Sequence, residues 1–310
     1  MRPPPLRVPM NLKQLEYFVR VAELGSFSKA SRVLGIAQPA LSRQVRALET
    51  DLRETLLLRD GRGVRMTQAG QRLFEHSIGI LQLVARARED IAASRDEPSG
   101  RIVVGMPPSI ARRLTLPLVE AFAARLPRAR LAIVEGLSAH IAEWTVTGRV
   151  DVGVLYDPEP QPGLETVPLF DEPLALIERG SVRARRTAAT VPLHELSRHP
   201  LILPERAHTF RKLLETQAAH AGIKLDIAWE VSGVPIIIDL VCAGHGCAVL
   251  TPNAVSAWPR GAELVVRPIV EPALRTVLSI ATSSRRRPTP LGTRVIALLR
   301  ELAQRMAPAR

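Results

Sequence analysis

The sequence predicts an α/β protein: a mainly helical amino-terminal block patterned as a winged helix–turn–helix, a long linker helix, and an α/β region filling the rest of the chain. Three observations predict it. Two short helical apolar patterns flank a glycine-containing turn and run into a strand–turn–strand. A stretch of about 30 residues then keeps an apolar seam at seven-residue spacing. Beyond it, strand-like and helix-like segments alternate over about 200 residues, which points to parallel, doubly wound sheets. The chain has 310 residues, enough for about two domains.

The first nine residues read as a frayed extension, and pattern begins directly after Met10, a second candidate start. Leu12, Leu15, Phe18, Val19 and Ala22 recur at helical spacing, and Gly25 ends that helix. Ser28 is read as the cap of a second short helix through Leu34, with Gly35-Ile36-Ala37 as a tight turn. Gln38-Pro39 opens a third helix, because proline does no harm in a first helical turn. Leu41, Val45 and Leu48 are its buried stripe, so Ser42, Arg43 and Arg46 face outward. LLLRDGRGVRM reads as two strands about Asp60-Gly61. Thr67 caps a helix continuing to about Asp96, with Leu73, Ile80 and Ala87 in one seven-residue series and Ser77, Val84 and Ile91 in another. This seam suits pairing with a second helix. Strands are then expected at RIVVGM, LAIVE, DVGVL, PLALI, LILP, KLDIAWEVS, CAVL, LVVRPI and TVLSIA. Helices are expected at 109–126, 138–147, 210–221, 235–242 and 291–306.

Composition excludes several classes. Hydrophobic residues at 46% and charged residues at 23% match globular averages, which rules out wholesale disorder, and aromatics at 4% leave an aliphatic core. Two cysteines, Cys242 and Cys247, build neither a disulfide framework nor a four-thiolate zinc site; they read as core packing. MRPPPLRVPM has no apolar leader core, and apolar runs such as PIIIDLVCAG stop short of the ~18 residues of a membrane span. The expectation is a cytoplasmic protein with no membrane association. The seven histidines form no His-x-x-x-His pair, and neither a phosphate-binding glycine loop nor a GxSxG elbow is present. No catalytic residue, metal site or cofactor is therefore assigned.

The net charge of +12 suits a polyanionic partner. Between Gly25 and Arg72 there are nine bases and four acids, so the charge clusters on the helix–turn–helix. The candidate DNA contacts are Ser28 and Lys29 at the second helix, Gln38, Pro39, Ser42, Arg43 and Arg46 on the third, and Arg62 and Arg65 on the wing. Arginine and glutamine suit base edges or phosphates, and serine suits phosphate.

LKQLEYFVRVAELGSFSKASRVLGIAQPALSRQVRALETDL, followed by RGVRMTQAG, resembles the winged helix–turn–helix of the LysR-type transcriptional regulators. The spacing from Phe18 through Gly25-Ser26-Phe27 to Ala30, the string Gln38-Pro39-Ala40-Leu41-Ser42 and Thr67-x-x-Gly70 carry it. The resemblance covers nearly everything from Met10 on. It implies a DNA-binding domain at 11–68, a linker and dimerisation helix at 69–98, and an effector-binding domain at 99–310. The last would have two lobes similar to periplasmic solute-binding proteins, lobe I at about 101–171 and 272–310 and lobe II at about 172–271. The family typically has glycine where this chain has Arg53 and phenylalanine where it has Leu57. Arg53 at a helix end would cost about 1 kcal/mol or change the turn.

In such a fold the ligand lies between lobes, at helix N-termini that suit anions. Pro107-Pro108-Ser109, Gly136-Leu137-Ser138, His208-Thr209 and Val231 to Pro235 qualify. The resemblance implies effector contacts at Ser109, Ser138 and Thr209; Val234 completes the candidate set. The expected effector is a small carboxylate or aromatic acid. The implied function is a sequence-specific regulator of double-stranded DNA, a homodimer or homotetramer acting on RNA polymerase, its shape gated by that effector. The alternatives are a constitutive DNA-binding regulator with a vestigial cleft, and an enzyme or solute-binding protein with an appended basic helical domain.

Overall fold

The computed structural model describes residues 10–60, 63–92, 98–180, 190–256, 258–286 and 288–307. The chain divides into two compact units, one running to Ala92 and including Thr147–Arg149, the other holding the remainder.

The first unit holds α1 (Leu12–Leu24), α2 (Phe27–Leu34), α3 (Gln38–Leu52), β1 (Leu57–Asp60), β2 (Gly63–Met66) and α4 (Gln68–Ala92). Asn11 and Gln14 form a reciprocal capping box at α1, and Gly25 closes it with φ 57°. Phe18, Val21, Ala30, Leu41, Val45, Leu48 and Leu56 form one buried core, while Leu12 stays exposed. The cap of α2 is Ser26, not the expected Ser28: its hydroxyl accepts from Lys29 N–H at 3.3 Å. Starting two residues early buries Phe27 and releases the Ser28 side chain for a longer-range contact. Arg53 keeps the left-handed conformation, φ 54° and ψ 33°, and its N–H bonds back to Glu49 and Thr50 carbonyls. The Glu49 carboxylate accepts from Leu56 and Leu57 N–H at 2.9 and 3.1 Å, which offsets Arg53's backbone cost. Thr67 caps α4 as expected, accepting from Gly70 N–H at 2.9 Å. The first half of α4 packs on its own domain through Leu73, Phe74, Ile78 and Leu81. Ile80 and Leu83 remain exposed. Residues 93–96, where this helix was expected to finish, lie outside the described residues.

In the second unit the chain runs β3 (Gly100–Met106), α5 (Pro108–Arg125), β4 (Ala129–Glu135), α6 (Ser138–Thr147), β5 (Val152–Tyr156) and β6 (Leu164–Pro173). There follow β7 (Ala175–Arg179), β8 (Val191–Pro192), a 3-10 helix at Leu193–Arg198, β9 (Leu201–Leu203) and α7 (Thr209–His220). Next come β10 (Ile227–Glu230), α8 (Val234–Ala243), β11 (Cys247–Leu250) and α9 (Pro252–Ser256). After a short 3-10 turn, β12 (Leu264–Val270), β13 (Arg275–Ser283) and α10 (Pro290–Gln304) finish the fold.

Two sheets result, ordered β4-β3-β5-β13-β6 and β10-β9-β11-β7-β12-β8, one per lobe. The expectation of parallel sheets holds for β3 with β4 and β5 and for β9 with β10 and β11, and is corrected for β13 and β7. β13 runs antiparallel to β5 and β6, and β7 antiparallel to β11 and β12, so both sheets are mixed. The cause is connectivity: β13 returns from the second sheet to the first, and β7 enters the second from β6. The unexpected strand β6 carries Pro168 and Pro173; it survives as an edge strand with an irregular register beside Pro168. β6 and β13 pair in one sheet, and their continuations β7 and β12 pair in the other. At the crossing Leu174 N–H donates to Leu274 O at 2.8 Å, and Ile269 N–H to Leu174 O at 2.9 Å. One aliphatic core cluster spans both sheets of this unit. Among the described residues no helix is long and apolar enough to cross a membrane.

Candidate nucleic-acid interface and interlobe site

At 100° per residue, Pro39, Arg43, Arg46 and Thr50 fall opposite the buried stripe of α3. Pro39, Arg43 and Arg46 are exposed, as expected, and so is Gln38. Two side-chain bonds fix this helix from its flank. Ser28 Oγ donates to Gln38 Oε1 at 2.9 Å, locking α2 to the start of α3. Arg59 on β1 donates to Ser42 Oγ at 3.0 Å while its guanidinium lies 4.0 Å from the Phe27 ring centroid. Ser28, Gln38 and Ser42 therefore orient the helix as well as border it. Arg59 escaped the sequence reading because nothing in the pattern showed that the wing folds back onto Ser42. Lys29 and Arg65 are exposed; Arg62 lies outside the described residues. The wing is tied to the helices where Val64 N–H donates to Gly25 O at 3.0 Å.

In the second unit Ser109 and Ser138 follow β3 and β4 at the starts of α5 and α6, and Thr209 and Val234 open α7 and α8. Ser138 Oγ accepts from Tyr156 N–H at 3.1 Å. The Tyr156 ring meets Phe210 edge-on at 4.9 Å, so Ser138, Tyr156 and Phe210 form one cluster across the lobes, and Thr209 precedes Phe210 in the chain. Val234 is buried at 8% exposure, its side chain packed in the hydrophobic core of this unit. The sequence reading missed the polar centre of this cluster. Tyr156 Oη donates to Glu172 Oε1 at 2.6 Å, and Asn253 Nδ2 donates to Glu172 Oε2 at 2.8 Å. These residues come from β5, β6 and α9, so no local motif announces them. Burial, then the neighbouring Glu172 charge, pushes the Tyr156 hydroxyl well up; burial also raises Glu172, against its hydrogen bonds and the Arg113 charge. Arg113 lies four residues after Ser109 on α5 and faces the same side.

His208 caps α7: its Nδ1 accepts from Phe210 N–H at 3.3 Å, leaving the proton on Nε2. Burial pushes this imidazole down to about 4. The unfolded chain takes up its proton near pH 6.5, so between about pH 6.5 and 4 unfolding binds protons and stability is lost as the pH is lowered. Below about 4 both states are protonated and the loss is complete, at roughly 3 kcal/mol. Denaturant midpoints measured across that window are expected to fall less steeply for His208→Asn, which keeps a capping acceptor; parallel profiles would refute the assignment.

Cys242 is buried at 1% exposure, as expected of core packing. Cys247 packs against the same core, though only partly buried. It is half-buried at the start of β11, with Sγ 3.8 Å from His199 Nδ1 and 4.0 Å from Glu178 Oε1. Burial and Glu178 push its thiol up to about 11, which leaves little thiolate to react.

A winged helix–turn–helix with an outward arginine face, joined to a two-lobed α/β unit, defines a class of DNA-binding regulators that carry a solute-binding-type module. The chain belongs to the LysR family of these transcriptional regulators: the LysR substrate binding domain matches residues 95–304, and the bacterial regulatory helix-turn-helix protein, lysR family, matches residues 12–71. It is 28% identical over 297 residues to the nitrogen assimilation regulatory protein nac of Klebsiella aerogenes, covering 96% of each chain. It is 27% identical over 298 residues, again 96% of each, to the DNA-binding transcriptional dual regulator OxyR of Escherichia coli K12. Among solved structures, the LysR family regulator CbnR aligns at TM-score 0.69 with 26% identity, over 95% of this chain and 99% of that one. Full-length CbnR complexed with its target DNA aligns at TM-score 0.68 with 27% identity, over 96% of this chain and all of that one.

Proposed function

We propose that this regulator reads its operator through α3 in the major groove, as an oligomer in the cytoplasm, and that it turns over no substrate. The exposed Arg43 and Arg46 carry the reading, because two guanidinium groups on a braced helix suit base edges and phosphates. Ser28, Lys29, Gln38, Pro39 and Ser42 border the same groove, with Arg62 and Arg65 reaching backbone or minor groove from the wing. Residues 69–98 pair two copies: Ile80 and Leu83 are exposed on α4, and Ile80 borders an apolar hollow with Met10, Leu12 and Leu15. Residues 99–310 hold the effector, and effector-driven changes in oligomer shape and DNA bending act on RNA polymerase. Salt dependence of operator binding tests the phosphate contacts. Arg46→Ala is expected to flatten the log–log slope by about 0.9, and an unchanged slope would remove Arg46 from the phosphate set.

The effector in this proposal is a small organic anion held by Ser109, Ser138, Thr209 and the backbone at Val234. Helix N-termini favour negative charge, and Arg113 on the same face as Ser109 adds a cation. Ser109→Ala is expected to abolish the effector response in a reporter assay with operator binding intact. Ser138→Ala should do the same, but it also strips Tyr156 N–H of its acceptor at about 1 kcal/mol, so Ser109 gives the cleaner answer. An unchanged response in both variants would favour a constitutive regulator, and turnover of a small substrate by the purified protein would overturn the non-enzymatic reading.

A further inference from the structure

Glu178, His199 and Cys247 take no part in either site above, yet sheet pairing gathers them. β11 runs antiparallel to β7 with Ala248 opposite Ile177, and one further step of that register sets Cys247 opposite Glu178. On its other side β11 runs parallel to β9 with Cys247 opposite Leu201. Cys247 N–H donates to Pro200 O at 2.8 Å, which pins the chain one residue after His199. Gly246 permits this approach: a Cβ there would lie 2.5 Å from Pro200 O. The three donor atoms then form a triangle: Sγ to Nδ1 3.8 Å, Sγ to Oε1 4.0 Å, and Nδ1 to Oε1 3.6 Å.

That triangle is close to the face of a tetrahedral zinc site. Bond lengths of about 2.3 Å to sulfur and 2.0–2.1 Å to nitrogen and oxygen set such donors roughly 3.4–3.6 Å apart, so small side-chain rotations close the difference. The chemistry is as selective as the spacing. A thiolate, an imidazole and a carboxylate suit a borderline-soft dication, whereas calcium and magnesium call for oxygen sets. Arg267 donates to Glu178 Oε2 at 3.2 Å and to Thr190 O at 3.0 Å, holding the carboxylate so that Oε1 faces the other two donors. The His199 and Glu178 side chains are 22% and 19% exposed, which leaves a path from solvent.

We propose that Glu178, His199 and Cys247 form a binding site for a zinc-class divalent cation in the second sheet, with water or an external ligand as fourth donor. On binding, the Cys247 S–H bond breaks, its proton leaves to solvent, and the sulfur lone pair forms the metal–thiolate bond. The cation would tie β7, the segment before β9, and β11 into one clamp.

The test uses the full-length protein, reduced and freed of metal by a chelator, titrated with cobalt(II) and then zinc. One equivalent of cobalt is expected to give a thiolate-to-cobalt charge-transfer absorption that zinc abolishes by displacement. Cys247→Ser should remove that absorption, and His199→Ala and Glu178→Gln should each weaken zinc binding by more than the about 10- to 100-fold that losing an outer-shell partner costs. Cys242→Ser, altering a thiol buried on α8, should change neither. Absence of the absorption at one equivalent, or its persistence in Cys247→Ser, would overturn the proposal and leave the DNA-binding reading untouched.

Discussion

Replacing Arg43 by alanine is expected to lower specific operator affinity roughly 5- to 150-fold, the loss from removing one good base-edge contact of about 1–3 kcal/mol. Its side chain is exposed opposite the Leu41–Val45–Leu48 stripe, so the fold loses nothing when it goes. Binding to random DNA should change much less, because a base contact discriminates while phosphate contacts do not. Footprinting on operator and non-operator duplexes separates the two. Equal losses on both would reassign Arg43 to the phosphate backbone, and no loss on either would remove α3 from the groove.

Gly70→Ala is expected to unfold the winged domain at markedly lower denaturant, with a cost of about 3 kcal/mol. A Cβ at this position would sit 2.1 Å from the Leu56 carbonyl oxygen, a backbone atom that cannot swing aside. The same carbonyl accepts from Thr67 N–H at 2.9 Å, and Thr67 Oγ1 donates to Thr55 O at 2.7 Å, so the start of α4 is clamped against the strand leading into the wing. Gly35→Ala provides the contrast. Gly35 has φ 65° but nothing within 4 Å of its would-be Cβ, so only the backbone cost of about 1 kcal/mol applies. Urea midpoints that shift equally in the two variants would show that the close approach at Gly70 relaxes freely.

Thr67-x-x-Gly70 was legible as a motif, and its physics is now visible: the threonine caps, and the glycine admits a carbonyl. The α3 stripe was legible because period 3.6 puts Leu41, Val45 and Leu48 on one side and the arginines on the other. Strand direction was not, since an apolar run reads the same either way; β13 and β7 reverse because of the connections that deliver them. Strand β6 was hidden by Pro168 and Pro173, which an edge tolerates. The Tyr156–Glu172–Asn253 cluster and the Glu178–His199–Cys247 triangle were hidden for a different reason: each joins residues far apart in the chain, so no window contains them. Ser28 looked like a cap because it stands beside one; the burial of Phe27 decided between it and Ser26.

The paired crossing of β6–β7 with β12–β13 has a mechanical consequence. Two adjacent chain segments, bonded to each other through Leu174 and Leu274, join the two sheets, and bending between the lobes would turn about an axis across both segments. Opening and closing about that axis leaves the ladders at its foot intact, while shear or splaying would tear them. A load applied to one lobe far from that axis would have the longer lever arm and would turn that lobe against the other in one plane.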